Sequence, residues 1–526
     1  MLKRINSKNI LLLLILCVGI FTRFYLLGSV PGGLNQDEAS MGYDSYALLE
    51  YGIDRKGQKN PVHFVAWGSG QNALLAYISQ PFIAALGLNV FSIRLFPALF
   101  SVFCLILFYF FCRKQNEQFA LFAFFLLAIC PWHIMLGRWA LESNILPGFI
   151  LLATYLLIRA QQKESNNKFA LVLPLSIFAI SLYSYSPAYA FVPIFIFCYA
   201  LSSLLAKTFS FKQWLIGLLA FTLISFPIIL FVIINKFGYN TIELGVLTIP
   251  KLPAEPRYSM SSIFSESFLA TIMENFKNVL TVIASGKDLD GNFISSVTQK
   301  GGVHPLYWLS LPLFCIGFPV FIYECIKEGK KSLKIPVIIW FFAATLTAIM
   351  STPAAIHRMN IIWFPILIFS GYGLYALYKF YKPSSFILIV FYVIFFFRFG
   401  NIYLNEYQKD ISNAFFIGYV DAIKYAEEKA LPADTLYLTD HLNQPYIYAL
   451  FALKYDVRDY VQTVKVSNPG ASFEFVTSFG KVKFGVTEQG LQNGRIFVLR
   501  NNEFGHLNED EFAIKFFENF KVLIKN

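Results

Sequence analysis

Three carboxylates fall within eight residues of the run Gly-Leu-Asn-Gln-Asp37-Glu38-Ala-Ser-Met-Gly-Tyr43-Asp44. The run follows shortly after an apolar stretch that begins near Ile10. From Asp37 onward it reads as a helix lying on a membrane surface, with Ala39, Tyr43, Tyr46, Ala47 and Leu49 as its apolar side. A carboxylate held at a lipid boundary is partly stripped of water. That raises its proton affinity and suits it to taking a proton from a hydroxyl nucleophile. Asp37 and Glu38 would equally suit the first turn of a helix, where acidic side chains meet free N–H groups and the positive end of the dipole. On chemistry alone the two roles stay balanced.

Other polar residues stand at the ends of apolar runs. Arg138-Trp-Ala-Leu-Glu142 sets an Arg and a Glu four apart, a spacing that pairs them on one helix face. The alternative role for Glu142 is a second acidic group facing Asp37. Tyr183, Tyr185 and Tyr189 flank the turn Ser186-Pro187 and serve either as an aromatic belt or as a platform for a sugar ring or prenyl chain. His357-Arg358 opens another apolar run. An Arg at that level either anchors the helix at the interface or grips a phosphate with paired hydrogen bonds and stabilises it as a leaving group. Arg94 reads as a snorkelling side chain. Asp288-Leu-Asp290-Gly-Asn292 starts like a calcium loop but lacks the distal Glu, and reads as a polar turn. His63 and His304 could bind a metal, but two isolated histidines are weak evidence for one. There is no Gly-x-x-x-x-Gly-Lys loop and no His-Glu-x-x-His, which removes support for ATP-driven transport and zinc proteolysis.

These residues need a scaffold, and the composition names its solvent. Hydrophobic residues make up 56% of the 526 and charged residues only 14%, against about 25% charged in soluble domains. Lipid must cover part of such a surface. About eleven runs approach the roughly 20 residues a membrane helix needs. They start near Ile10, Val90, Phe119, Ile145, Phe169, Ala188, Trp214, Leu306, Ile335, Arg358 and Ser384. The first has Lys3, Arg4 and Lys8 before it and no clear cleavage site, so it reads as an uncleaved anchor.

With the N-terminus in the cytoplasm, every second loop is basic: Arg113 and Lys114; Arg159, Lys163 and Lys168; Lys207 and Lys212; Lys327, Lys330, Lys331 and Lys334; Lys379 and Lys382. The net charge of +11 is therefore a mark of topology, and no nucleic-acid partner is expected. All seven cysteines lie in or beside apolar runs, which leaves no disulfide framework.

Three long polar segments fall on the outer face: residues 31–89, 236–305 and the tail 401–526. The expected fold is a polytopic α-helical membrane domain over 1–400 followed by a small extracytoplasmic α/β domain over 401–526. In the tail a helical pattern covers Asn413–Lys429. Strand patterns cover Thr435–Thr439, Tyr460–Val466, Lys481–Val486 and Arg495–Arg500, and an acidic helix is expected near Asn508–Asn519.

The order of these features resembles the GT-C superfamily of membrane glycosyltransferases, and within it the bacterial branch of the protein O-mannosyltransferase and lipid A aminoarabinose transferase group. The likeness rests on the acidic loop Asp37-Glu38 after the first span and on Asn89-Val-Phe-Ser-Ile-Arg94-Leu-Phe-Pro97 opening the second. It continues through the Arg138…Glu142 loop, the Leu-Tyr183-Ser-Tyr185 turn, and His357-Arg358 before Phe364-Pro365. The resemblance implies a GT-C fold in the plasma membrane, and transfer of a sugar from a polyprenyl-phosphate-linked donor to a glycan, lipid or protein acceptor on the outer face. It implies Asp37 as general base, with Glu38 positioning it or touching the acceptor. Arg358, with His357 and Arg138, would hold the donor phosphate. Asp44, Glu142, Tyr183 and Tyr185 would line the substrate. No cofactor is implied, although a loosely bound divalent metal stays open. The tail departs from the pattern, because it lacks the look of the β-trefoil insert of eukaryotic relatives. A transporter or flippase of polyprenyl-linked glycans, or a glycan polymerase, is the rival reading. A transporter would concentrate charges at the bilayer midplane, whereas here they cluster at span ends.

Overall fold

The computed structural model describes residues 7–68, 70–163, 167–253, 268–287, 303–351, 354–504 and 511–526. The Asp288–Asn292 turn lies outside the described residues. The chain forms two compact units whose segments alternate along the sequence. The first comprises Met1–Leu26, Pro97–Ile229 and Tyr258–Tyr407, and the second Leu27–Phe96, Leu230–Arg257 and Gln408–Asn526.

All eleven apolar runs are helical. Among the described residues, eight helices are long and apolar enough to cross a membrane: Ser7–Phe24, Val90–Arg113, Glu142–Gln162, Ala188–Leu205, Phe211–Phe237, Ser310–Glu328, Asn360–Phe380 and the run from Lys382. The other three, Glu117–Ala128, Val172–Ser181 and Ile335–Met350, have 12, 10 and 16 residues and fall short of a full span. The first of these ends where it does because Pro131 drives Cys130 out of helical backbone, to φ −65° and ψ 120°. Leu13, Phe197, Leu219 and Leu223 are exposed on their helices, a distribution suited to lipid.

The centre of the first unit is the helix Asn360–Phe380, buried at every position from Asn360 to Tyr375. It packs on Ser310–Glu328 at backbone contact. A Cβ at Gly317 would strike the Phe369 carbonyl, and one at Gly373 the Leu313 carbonyl. Small residues permit this approach where lipid leaves packing as the main attraction between helices.

The second unit combines the helix Gln36–Tyr51, a hairpin of His63–Phe64 against Gln71–Asn72, the helix Leu74–Leu86 and the tail. The tail builds one seven-stranded sheet in the order Phe512–Phe517, Phe520–Lys525, Ile496–Arg500, Leu436–Leu438, Val482–Phe484, Val476–Phe479, Lys465–Val466. The Leu436–Leu438 strand runs parallel to both its neighbours, and the other pairs are antiparallel.

Two tail expectations are corrected. Val457–Thr463 is a helix, capped by the Asp456 side chain, and only Lys465–Val466 of the expected strand is extended. Phe512–Phe517 is a strand rather than part of an acidic helix, because Phe520–Lys525 returns antiparallel beside it and pairs every residue. Residues 508–510 of that expected helix lie outside the described residues. The tail also packs on the segment that follows the first apolar helix. Gln36–Tyr51 lies against Pro445–Leu453, the Tyr43 hydroxyl donates to the Tyr455 carbonyl at 2.8 Å, and Lys56 pairs with Glu474 at 2.5 Å.

Candidate functional site

In the second unit, the first turn of the helix Gln36–Tyr51 is held from both sides. The Asn35 side chain accepts from the Asp37 N–H at 2.9 Å, and Glu38 reaches back to the Asn35 N–H at 3.3 Å. This is the reciprocal cap that an Asn with a Glu three residues later encodes. Arg94 then grips Glu38 with two parallel bonds: Nε to Oε1 and Nη2 to Oε2, each 2.8 Å. Its remaining N–H groups donate to the carbonyls of Pro31 at 2.6 Å and Gly33 at 3.1 Å. Both side chains are fully buried. Arg94 therefore does not snorkel. It stays inside because Glu38 and two carbonyls satisfy it.

With Glu38 locked, its half-buried neighbour Asp37 is presented to a different set of partners. The Trp67 indole N–H donates to Asp37 Oδ1 at 2.9 Å, and the Gln71 amide donates to the same oxygen at 3.1 Å. The hairpin register, with Phe64 opposite Gln71, brings both donors to one side. Gly70 allows the turn at φ +75°, where a Cβ would collide with the Phe64 carbonyl. Tyr448 from the tail is buried nearby, and burial followed by the charges of Asp37 and Glu38 pushes its phenol well up.

Asp44 is fully buried, with Arg55 as its partner: Nη1 to Oδ2 at 3.3 Å, and the Arg55 N–H to Oδ1 at 3.2 Å. Burial pushes its carboxyl up, against the opposing Arg55 charge. Asp54 is buried too, and accepts from the N–H groups of Lys56 at 2.9 Å and Gln58 at 2.8 Å. Burial, then the Asp44 charge, pushes it up to about 7. The stability tied to its protonated form is complete below the unfolded value, about 3.9, and is lost as pH rises through about 7. Asp54→Asn keeps the acceptor oxygen and removes the charge. It is expected to raise the unfolding midpoint at pH 8, with the gain shrinking by pH 5. Thermal unfolding at the two pH values checks this, and an equal effect at both would contradict it.

In the first unit, the loops that carry Arg138 and His357-Arg358 are drawn together by amides. Asn360 accepts from the Trp132 indole N–H at 2.9 Å and donates to the Ser143 carbonyl at 3.1 Å and the Asn144 amide oxygen at 3.2 Å. Asn144 donates to the Trp139 carbonyl at 3.0 Å. The Trp139 and His357 rings lie 6.3 Å apart, edge to face. Burial, then the neighbouring Arg358 charge, pushes the His357 imidazole down to about 3. At neutral pH it is an uncharged hydrogen-bonding group, which leaves Arg358 as the cation of that pair.

Arg138 donates to the carbonyls of Thr22 at 3.0 Å and Tyr25 at 2.7 Å, where the helix Ser7–Phe24 ends, and its guanidinium stacks on Tyr403. A cation suits a helix C-terminus. Glu142 opens the helix Glu142–Gln162. Tyr183 donates its hydroxyl to the Ile224 carbonyl at 2.7 Å, and Tyr185 sits in the turn before Ala188–Leu205. Among the described residues no group of three or more His, Cys, Asp or Glu is placed to hold a metal ion. His304 bonds to the Ile283 carbonyl at 2.8 Å, and His63 stacks on Phe231.

Arg23 went unnoticed in the sequence. It lies buried in the first apolar helix, with Nε to Ser101 at 2.9 Å, Nη1 to the Ala128 carbonyl at 2.9 Å, and Nη2 against His133 Nδ1 at 2.7 Å. An Arg inside an apolar run was the available signal.

Residues 72–231 match the sequence profile of the dolichyl-phosphate-mannose-protein mannosyltransferase family. No curated protein sequence matches the chain. Crystal structures of ArnT from Cupriavidus metallidurans superpose over 98% of both chains. The apo form gives a TM-score of 0.56 at 11% identity, and the form bound to undecaprenyl phosphate 0.58 at 13%. The fold is the GT-C fold. The Archaeoglobus fulgidus oligosaccharyltransferase matches more loosely, at TM-score 0.50 and 11% identity, over 84% of this chain and 61% of that one. The superposition on ArnT takes in the tail as well as the helices.

Proposed function

We propose that this protein moves a sugar from a polyprenyl-phosphate-linked donor to an acceptor on the outer face of the plasma membrane. The N-terminus would lie inside and the tail outside. The observation that carries this reading is Asp37: a half-buried carboxylate held by Trp67 and Gln71 beside the locked Glu38–Arg94 pair. The GT-C fold and the mannosyltransferase profile supply the reaction class. Undecaprenyl phosphate bound to the ArnT of similar fold supports a polyprenyl carrier for the donor.

In the proposed reaction Asp37 takes the proton of an acceptor hydroxyl. The oxygen attacks the anomeric carbon as the bond from that carbon to the phosphate oxygen breaks, and prenyl phosphate leaves with the electron pair. Arg358 offsets the charge developing on the phosphate, with neutral His357 donating beside it. The two terminal nitrogens of Arg138 already serve helix carbonyls, so its part is to hold the loop. Glu38 positions Asp37. Glu142, Tyr183 and Tyr185 remain candidate substrate contacts.

The test is transfer in vesicles given labelled polyprenyl-phosphate sugars and membrane acceptors. Wild type should consume donor and release prenyl phosphate, and Arg358→Ala should weaken donor binding and slow turnover. Donor that changes leaflet without being consumed would favour a flippase instead.

A further inference from the structure

Behind Asp37 runs a chain of hydrogen bonds whose direction is set at both ends, by a guanidinium that only donates and a carboxylate that only accepts. Arg55 is buried at 2% exposure, and its guanidinium can only donate. Its Nη1 donates to Ser40 Oγ at 2.5 Å. The Ser40 proton must then point elsewhere, and it goes to Gln71 Oε1 at 2.5 Å. With its oxygen so occupied, Gln71 turns its NH₂ toward Asp37 Oδ1 at 3.1 Å. The reverse orientation would aim an amide oxygen at a carboxylate. The same guanidinium lies 5.0 Å from the centre of the Trp67 ring, whose N–H is the other donor to Asp37 Oδ1. Arg55 thus backs two side-chain donors that converge on that oxygen. Asp44 holds Arg55 in place as its counter-ion. Among the described residues Arg55 Nε and Nη2 make no hydrogen bond, and burying a donor without an acceptor costs free energy.

We propose that Arg55 is a positioning residue for the transfer reaction. Through Ser40 and Gln71, and through the face of Trp67, it fixes the orientation of the Asp37 carboxylate, with Asp44 as its internal partner rather than a substrate contact. This rests on the reading of Asp37 as general base. A misplaced base loses rate at the chemical step, so the effect belongs in kcat, with donor KM little changed.

The experiment compares wild type, Ser40→Ala, Arg55→Met, Arg55→Lys and Asp37→Asn in the vesicle transfer assay. Ser40→Ala cuts the chain while leaving the Arg55–Asp44 pair intact, so it tests the idea even where Arg55→Met fails to fold. The expected result is a kcat lower by roughly 10–100-fold in Ser40→Ala, with donor KM held. Arg55→Lys, which still donates, should recover more turnover than Arg55→Met. Ser40→Ala placed on Asp37→Asn should cost nothing further, because both act through one carboxylate. Wild-type kcat in Ser40→Ala, with Asp37→Asn inactive, overturns the positioning role and leaves the base in place. A further loss on the Asp37→Asn background also overturns it. Wild-type turnover in Asp37→Asn removes the base reading itself.

Discussion

Asp37→Asn is expected to lose about 10²–10⁴ of the sugar-transfer rate, the range general-base catalysis supplies. The substitution is nearly isosteric. Asn keeps an oxygen where Trp67 and Gln71 donate, and the helix cap involves the backbone N–H of residue 37 rather than its side chain. Folding and donor affinity should therefore hold while turnover falls. Initial rates with labelled donor, alongside donor binding to the same vesicles, separate the two. Full turnover would make Asp37 a helix-terminal acid with no chemical role.

Glu38→Gln is expected to lower the stability of the second unit by about 3–5 kcal/mol, the cost of leaving one member of a buried ion pair alone. Arg94 would keep its charge in a fully buried site, facing a neutral amide and two carbonyls. Arg94→Met should be comparably damaging from the other side. The double variant Glu38→Met/Arg94→Met tests the cause, since replacing both charges with apolar side chains of similar volume is often neutral or stabilising. It should regain most of the unfolding midpoint without regaining activity, because the Asn35 N–H would lose its acceptor and the turn bearing Asp37 its anchor. Unfolding in detergent, followed by tryptophan fluorescence, measures this. A Glu38→Gln midpoint equal to wild type would show that the pair is not a structural lock.

Of the two roles that stayed balanced for Asp37-Glu38 in the sequence, the structure shows the helix cap, while Asp37 as base is the proposed reading. Glu38 is the cap residue and the counter-ion of Arg94, and Asp37 is the neighbour it frees for other partners. The Asn35-x-x-Glu38 spacing was readable, because a capping box is a local pattern. Arg94 lies 56 residues further on, and as a sequence feature it could not be told from a snorkelling side chain.

Sequence by itself determined the membrane character, the eleven apolar helices and the acidic turn after the first of them. Each follows from a local demand: lipid asks for long apolar runs, and free helix N–H groups ask for a cap. The tertiary structure alone decided who answers a buried charge. Arg23 with His133, Arg94 with Glu38, and Arg55 with Ser40 and Gln71 are matched across separate elements, because desolvation favours pairing a buried charge with an acceptor wherever the chain brings one. It also decided the tail. Phe512–Phe517 became a strand because Phe520–Lys525 pairs with it, and sheet order rests on such partners rather than on the pattern of one segment.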